Sequence, residues 1–502
     1  MPPLTRPVAG ERLTLPPRSA LQAADADVLV VGGGPAGIGA ALAAADAGAD
    51  VVLVERYGFL GGNATAALVM PWMSFHTRRP QPPRLGDVSL FPTDHGEGEP
   101  VVAGKHIEVI DRLVQADGAL LPSPDTGYTV PFDPEVFKQV ALDLLAGAGV
   151  RYVLHAFASG VRTPGRAGEV VFETKSGPVV VTARVTVDCT GDGDVAAAAG
   201  APFEIGRESD GLVQPMTLMF RVVGFDSGPF ERYVADHSDQ WRSVHGLWDL
   251  VEEATAAGDL DLPREDILFF NTAHPGEVAV NSTRVTQVFG TDVFDLTRAE
   301  AVSHRQMSQI AAFLRDYVPG FADSYVAQSG VQVGVRETRR ILGDYVLTGE
   351  DILSARKFDD VIARGTYPVD IHNPNGRGTV LRSVPPGDAY DVPLRCLLPR
   401  DVDDLLTAGR CISGTHEAHS SYRVTPTAMA TGQAAGVCAA LAAAADRAPR
   451  EVEIAAVQAE LIRQGADLGP RGEDGVVALE RGATQGPGGQ PDRLRRATPA
   501  EM

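Results

Sequence analysis

The sequence predicts an α/β chain, and three observations predict it. A glycine-rich strand–turn–helix–strand unit lies at residues 27–55. A hydrophobic strand at residues 185–188 ends in the turn Cys189-Thr190-Gly191. A third strand enters Gly409-Arg410 and leads on to a long alanine-rich helix. The first unit reads DVLVVGGGPAGIGAAL, an alanine-rich run, then DVVLVE. Its glycines fit G-x-G-x-x-G at Gly32, Gly34 and Gly37. Gly32 allows the tight turn, Gly34 lets the backbone approach a pyrophosphate, and Gly37 lets the helix lie close on the sheet. The helix N-terminus offers unpaired N–H groups and a positive dipole end to phosphates. Glu55 closes the second strand, where a carboxylate can accept hydrogen bonds from an adenosine ribose. A bare glycine motif is weak, but the whole unit with its terminal acid predicts a dinucleotide site. An ordinary βαβ unit does not explain an acid at that strand end.

The other elements follow in chain order. Residues 1–24 read as a proline-containing lead-in. Residues 76–100 are rich in Pro, Gly and charge and predict a long exposed loop. Residues 105–116 have helical periodicity. Asp133 as cap and Pro134 at the first position predict a helix over 135–146. Residues 151–155, 170–174, 179–182 and 184–188 alternate or are β-branched, with turn residues between them, and predict strands. The middle, 202–385, is mixed, with strands near 218–223 and 278–281, a helix near 298–315 and a basic cluster at 336–340. After the strand from Leu405 comes a polar loop, a helix over about 427–445 and a last amphipathic helix over 452–465. Residues 468–502 lack periodicity and predict a disordered tail.

Composition narrows the classes of function. The 502 residues carry 44 Lys+Arg against 65 Asp+Glu, a net charge of −21. Such a surface repels nucleic acid and anionic membranes. No run reaches the ~20 apolar residues of a membrane span. The N-terminus lacks the apolar core of a signal peptide. The four cysteines, Cys189, Cys396, Cys411 and Cys438, form no C-x-x-C. A reduced, cytoplasmic location is expected.

Three segments together carry more than each alone: the βαβ unit, VTVDCTGDGD at 185–194, and LLTAGRCISGTHEAHSSYRVTPTAMATGQAAG at 405–436. With FLGGNAT (59–65), PMTLMF (215–220), GVRETRRILGDYVLT (334–348) and YPVDIH (367–372), the sequence resembles the broad FAD-dependent oxidoreductase family related to fumarate reductase flavoproteins. The resemblance covers roughly residues 25–465. It implies a Rossmann-like FAD-binding domain of the glutathione-reductase type, drawn from residues 25–75, 133–215 and 386–467, with an inserted mixed α+β substrate domain from 76–132 and 216–385.

The resemblance also implies roles. Gly32, Gly34, Pro35, Ala36 and Gly37 would bind the pyrophosphate, and Glu55 with Arg56 the adenosine end. Gly61, Gly62, Asn63 and Thr65 would wrap the phosphates and ribityl chain, and Ala156 would flank the adenine. Thr190, Gly191, Asp192 and Asp194 would border the pyrophosphate turn. Gly409 and Arg410 would lie under the ribityl chain, with Arg423, Thr427, Ala428 and Gly432 near the flavin. No histidine occurs over 61–67, so the FAD is expected to be non-covalent.

Catalytic candidates are His372, His416 and His419 as acid or base and Arg336 as substrate anchor, and Asp370, two residues from His372 on a strand, is expected to face the same side and orient it. His416-Glu417-x-His419 lacks a third ligand at a recognisable spacing, so no metal is expected. The leading expectation is two-electron hydride transfer between a small-molecule substrate and flavin N5, with an unspecified electron acceptor. One alternative is an NAD(P)H-dependent flavin monooxygenase, which the run Val195–Ala199 after Asp194 disfavours, since that class carries an arginine there. A non-catalytic flavin-binding scaffold is a further alternative. No nucleic-acid partner is expected, and a homo-oligomer is left open.

Overall fold

The computed structural model describes residue 4 and residues 13–77, 84–92, 98–376 and 378–470. The expected tail therefore lies outside the described residues from 471 onward.

Residues 28–31 and 51–54 are apolar without interruption because both faces of their sheet are covered. Arg151–Val153, Val51–Val54, Leu21–Val31 and Gly177–Asp188 lie side by side in parallel, and Leu405–Thr407 adds a fifth parallel strand. Successive side chains then divide between two cores. Val28, Val30, Val51 and Leu53 pack on one face, while Leu29, Val31, Val52 and Val54 pack on the other. Glu169–Thr174 and Phe157–Val161 extend the sheet antiparallel.

Two expectations change here. Residues 21–24, read as lead-in, already belong to the first strand, because Leu21, Gln22 and Ala24 pair with Val179, Val180 and Val181. The two strands expected at 179–182 and 184–188 are one, Gly177–Asp188. Ala183 continues the ladder against Ala26 rather than breaking it.

Helices Pro35–Asp46 and Thr425–Ala445 cover the first face and cross each other at backbone contact. A Cβ on Gly432 would stand 2.0 Å from the Ala36 carbonyl oxygen, and one on Gly436 would stand 2.1 Å from that of Ala40. The second helix is long and apolar enough to cross a membrane, and 78% of its most apolar window is buried in this packing. Gly432→Ala should lower stability by about 1–3 kcal/mol through overpacking, with FAD content falling alongside because Ala36 must shift. Thermal unfolding and the flavin-to-protein absorbance ratio would measure both. Unchanged values would mean the crossing accommodates a methyl.

A second sheet is wholly antiparallel. Its order is Tyr325–Ser329, Phe220–Val223, Glu277–Val280, Ile267–Asn271, His245–Gly246, Trp241–Arg242. Its core is aromatic, with Phe230 edge-on to Trp241 at 4.9 Å and Phe225 tilted on Phe321 at 4.5 Å. Leu90 is buried in this core and Leu85 bridges to Arg242, so the described part of the expected loop at 76–100 is partly packed. Val109, Ile110 and Leu113 of helix Lys105–Gln115 share a core with the parallel sheet, and Phe270 and Ala279 of the antiparallel sheet reach the same core. Strands Val361–Gly365 and Tyr390–Pro393 do the same.

Candidate functional site

The parallel strands end together where the sheet order reverses, between Leu21–Val31 and Gly177–Asp188. In open α/β sheets ligands bind at such a point. A cleft opens there. Gly32 takes a left-handed φ of 101° and its absent Cβ would lie 2.4 Å from the Cys189 carbonyl oxygen. Gly37 is required by packing, since its Cβ would meet the Gly32 oxygen at 1.8 Å. Gly34 differs. A Cβ there would make only ordinary contact with Gly62, at 3.6 Å, so the space in front of it belongs to the cleft rather than to the protein.

Two helix N-termini face this cleft without any side-chain cap: Pro35–Asp46, with Gly34 at its N-cap, and Thr425–Ala445, with Val424 at its N-cap. Their unpaired N–H groups and dipole ends favour anionic groups. Pro426 lies in the first turn of the second helix, where its missing N–H costs nothing.

The cleft brings together Gly32, Gly34, Pro35, Ala36, Glu55, Arg56, Gly62, Asn63, Ala156, Thr190, Gly191, Gly409, Arg410, Arg423 and Ala428 of the expected residues. Others stand behind it. Gly61 donates its N–H to the Gly33 carbonyl at 2.8 Å, and Thr65 Oγ1 donates to the Leu60 carbonyl at 2.7 Å; both hold the loop shape. Asp192 pairs with Arg410 at 2.8 Å and accepts from Thr338 at 2.9 Å. Thr427 is wholly buried, and Gly432 sits in the helix crossing. Asp194 lines the cleft itself, its pKa raised to about 6 by burial and by the charges of Asp192 and Asp188.

Glu55 is buried at the end of its strand. Its Oε2 accepts from the Gly33 N–H at 2.6 Å and its Oε1 from the Tyr57 N–H at 2.9 Å. Burial raises its pKa, and the two backbone donors offset part of that rise. The carboxylate thus fixes the glycine turn as well as bordering the cleft.

A second, larger cavity adjoins the cleft, with a volume of about 690 Å³. Asn63, Arg410, Arg423 and Thr425 line both spaces. His372 lines the cavity from strand Val369–His372. Its Nε2 lies 3.3 Å from Asp370 Oδ2. The carboxylate can only accept, so Nε2 carries the proton and Nδ1 the lone pair. Arg284 Nη2 and Thr379 Oγ1 donate towards that lone pair at 3.2 and 3.4 Å. Burial, then Arg336 and Arg284, lower the His372 pKa to about 4 against the pull of Asp370. Burial pushes Asp370 upward, but His372 and Arg423 more than offset it and hold the carboxyl low. Arg336 is lowered to about 9, by burial first and then by Arg423 and Arg284.

His416 and His419 do not line either space. The expected polar loop is a helix, His416–Tyr422, capped by Thr415, whose Oγ1 accepts from the Ala418 N–H at 3.3 Å. That winding turns both rings into the interior. His416 Nδ1 lies 2.9 Å from Glu337 Oε1, and among the described residues His419 has no hydrogen-bond partner at either ring nitrogen.

The family described as FAD dependent oxidoreductase matches residues 27–461. The chain belongs to this family. A curated relative, digeranylgeranylglycerophospholipid reductase 2 of Methanopyrus kandleri, is 31% identical over 210 residues, 40% of this chain and 45% of that protein. The matched region thus spans less than half of that relative's length. A geranylgeranyl bacteriochlorophyll reductase-like protein of Thermoplasma acidophilum is 13% identical, with 88% of this chain and 84% of that one covered and a TM-score of 0.41. The myxobacterial chondrochloren halogenase CndH is 14% identical, with coverages of 88% and 79% and a TM-score of 0.41.

The flavoprotein's cleft fits FAD on its own chemistry. The open space at Gly34 and the two uncapped helix ends suit a pyrophosphate. Arg410 keeps a buried Nη1 with no hydrogen-bond partner among the described residues. Glu55→Ala in this FAD-dependent oxidoreductase should cut FAD affinity about tenfold to a hundredfold, the worth of a charge-assisted hydrogen bond. Titration of the apoprotein with FAD would measure it. Glu55→Gln, which keeps one acceptor, should lose less. Unchanged affinity in both would reduce Glu55 to a support for the turn.

Sequence reasoning missed Arg284 and Glu337. Arg284 follows the strand Glu277–Val280 in VAVNSTRV, with no motif around it. Glu337 lay inside the basic cluster and was hidden by it. Only its position between Arg336 and Arg340 hinted at a shared counter-charge.

Proposed function

We propose that this enzyme carries out two-electron hydride transfer between a small organic substrate in the larger cavity and N5 of FAD in the cleft. In this reading the antiparallel sheet and its helices, with residues near 216–335, form a substrate-bearing part set beside the FAD-binding part. Bound FAD supplies the two-electron acceptor or donor. The observation that carries the reading is the Asp370–His372 pair in a cavity that shares Asn63, Arg410, Arg423 and Thr425 with the cleft.

The chain's own residues then divide the work. Glu55, the Gly34 turn and the two helix ends hold the cofactor. Asp370 fixes the His372 tautomer, and Tyr367 Oη steadies Asp370 from 2.9 Å. His372 Nδ1 is the atom that takes a proton from a substrate hydroxyl or amine. The bonds it receives from Arg284 and Thr379 are long, and a substrate donor can replace them. A neutral imidazole near neutral pH is the form a base requires.

The test is anaerobic mixing of the FAD-loaded protein with small hydroxy and amino compounds. Loss of the oxidised flavin absorbance without oxygen supports the reading. Oxygen consumption driven by NADPH, with no anaerobic bleaching, would assign monooxygenase chemistry instead. Acid precipitation should release FAD intact into the supernatant. Flavin absorbance that stays with the pellet would mean a covalent link.

A further inference from the structure

We infer that the larger cavity takes an organic oxyanion with an apolar body, its charged end held by Arg284, Arg336 and Arg423. The inference rests on the reading of this cavity as the substrate site, and it names the substrate class. Arg336 Nη1 donates only to the Pro215 carbonyl at 2.8 Å and to Thr217 Oγ1 at 2.6 Å. Arg284 donates to the Gly376 carbonyl at 2.8 Å and to the neutral His372 at 3.2 Å. Among the described residues, neither guanidinium has a carboxylate in ion-pair range. Arg423 has one, Asp370 at 3.4 Å, which also serves His372 and Tyr367.

The other cations at the wall do not change the balance. Arg264 is paired with Asp266 at 2.9 Å and Arg410 with Asp192 at 2.8 Å. Arg242 and Glu265 also line the cavity and offset each other in charge. Three guanidiniums thus share one carboxylate, inside a chain whose net charge is −21. Unpaired charge is costly to bury, and an incoming anion removes that cost. A neutral polyol would not.

Much of the remaining wall is apolar. Met70, Met73, Met219, Val244, Phe270 and Leu381 line it. Methionine side chains adapt to varied apolar shapes. A volume of about 690 Å³ suits a body of some size better than an acid of a few carbons. A carboxylate and a phosphate monoester present the same chemistry to the guanidiniums.

The experiment is calorimetric titration of the FAD-loaded full chain with four probes: decanoate, decyl phosphate, acetate and decan-1-ol. Decanoate or decyl phosphate should bind, and the tighter of the two identifies the head group. Acetate and decan-1-ol should each bind at least about tenfold more weakly, since each lacks one half of the recognition. Arg336→Gln should weaken the better probe by about tenfold to a hundredfold while the flavin absorbance is retained. If that variant does not fold, added salt should weaken the same probe on the wild type. Decan-1-ol binding as tightly as decanoate overturns the inference, and so does failure of both anions to bind the FAD-loaded protein. Anion binding without any anaerobic bleaching would keep the inference and sink the hydride-transfer reading. Failure to retain FAD would sink both.

Discussion

Glu337→Ala is expected to cost about 3–5 kcal/mol of stability, the loss seen when one partner of a buried ion pair is removed. The Glu337 side chain is wholly buried. Its Oε1 accepts from Arg340 Nη1 at 2.6 Å and from His416 Nδ1 at 2.9 Å. Its Oε2 accepts from the Gln214 N–H at 3.0 Å. Truncation would leave the guanidinium of Arg340, itself only 3% exposed, with Glu204 at 3.5 Å as its nearest counter-charge. Urea unfolding would read the loss directly. Glu337→Gln should recover part of it, because the amide oxygen keeps one acceptor and restores the packing. A change under about 1 kcal/mol would show that this network carries no more than a surface pair.

His372→Ala should slow substrate-dependent flavin reduction by about 10²- to 10⁴-fold, the usual worth of a positioned general base. FAD content should not change, since His372 lies outside the cleft. Rapid anaerobic mixing separates this chemical step from binding. The pH profile adds a second readout. A base works only when deprotonated, and the His372 pKa is lowered to about 4, so wild-type activity should hold through neutral pH and fall only as pH drops through that value. A limb near the ordinary histidine value of about 6.5 would point to another group. A rate within about threefold of wild type would exclude His372 as the base.

The cofactor half of this protein was legible because backbone geometry forces its residues. A left-handed turn at Gly32 and a helix pressed on that turn at Gly37 admit little else, so motif spacing reports the structure. Asp370 and His372 were readable as a pair for the same reason, since residues two apart on a strand share a face. Gly432 shows the limit. Its place in an alanine-rich helix was plain, but its role is to let two backbones cross rather than to meet the flavin. His416 and His419 were misplaced because a polar stretch without hydrophobic periodicity read as loop. Thr415 caps it into a helix whose histidines and serines are buried by tertiary packing. The arginine cluster was only half visible. Arg336, Arg284 and Arg423 come from three distant segments, and no local pattern encodes their convergence.

Arg410 and Arg423 border the cleft and the cavity at once. Two compartments with a common electrostatic wall cannot be independent. An oxyanion seated against Arg423 screens part of the positive potential felt in the cleft, and adding negative charge to the flavin becomes harder. Ligand occupancy would therefore lower the flavin midpoint potential. Reciprocity then requires the reduced holoenzyme to hold the anion less tightly, by the same factor. Sites coupled in this way typically trade about 1–3 kcal/mol. Each turnover would thus loosen its own ligand at the moment the electrons arrive, and the ligand-bound and ligand-free midpoint potentials would differ by a measurable amount.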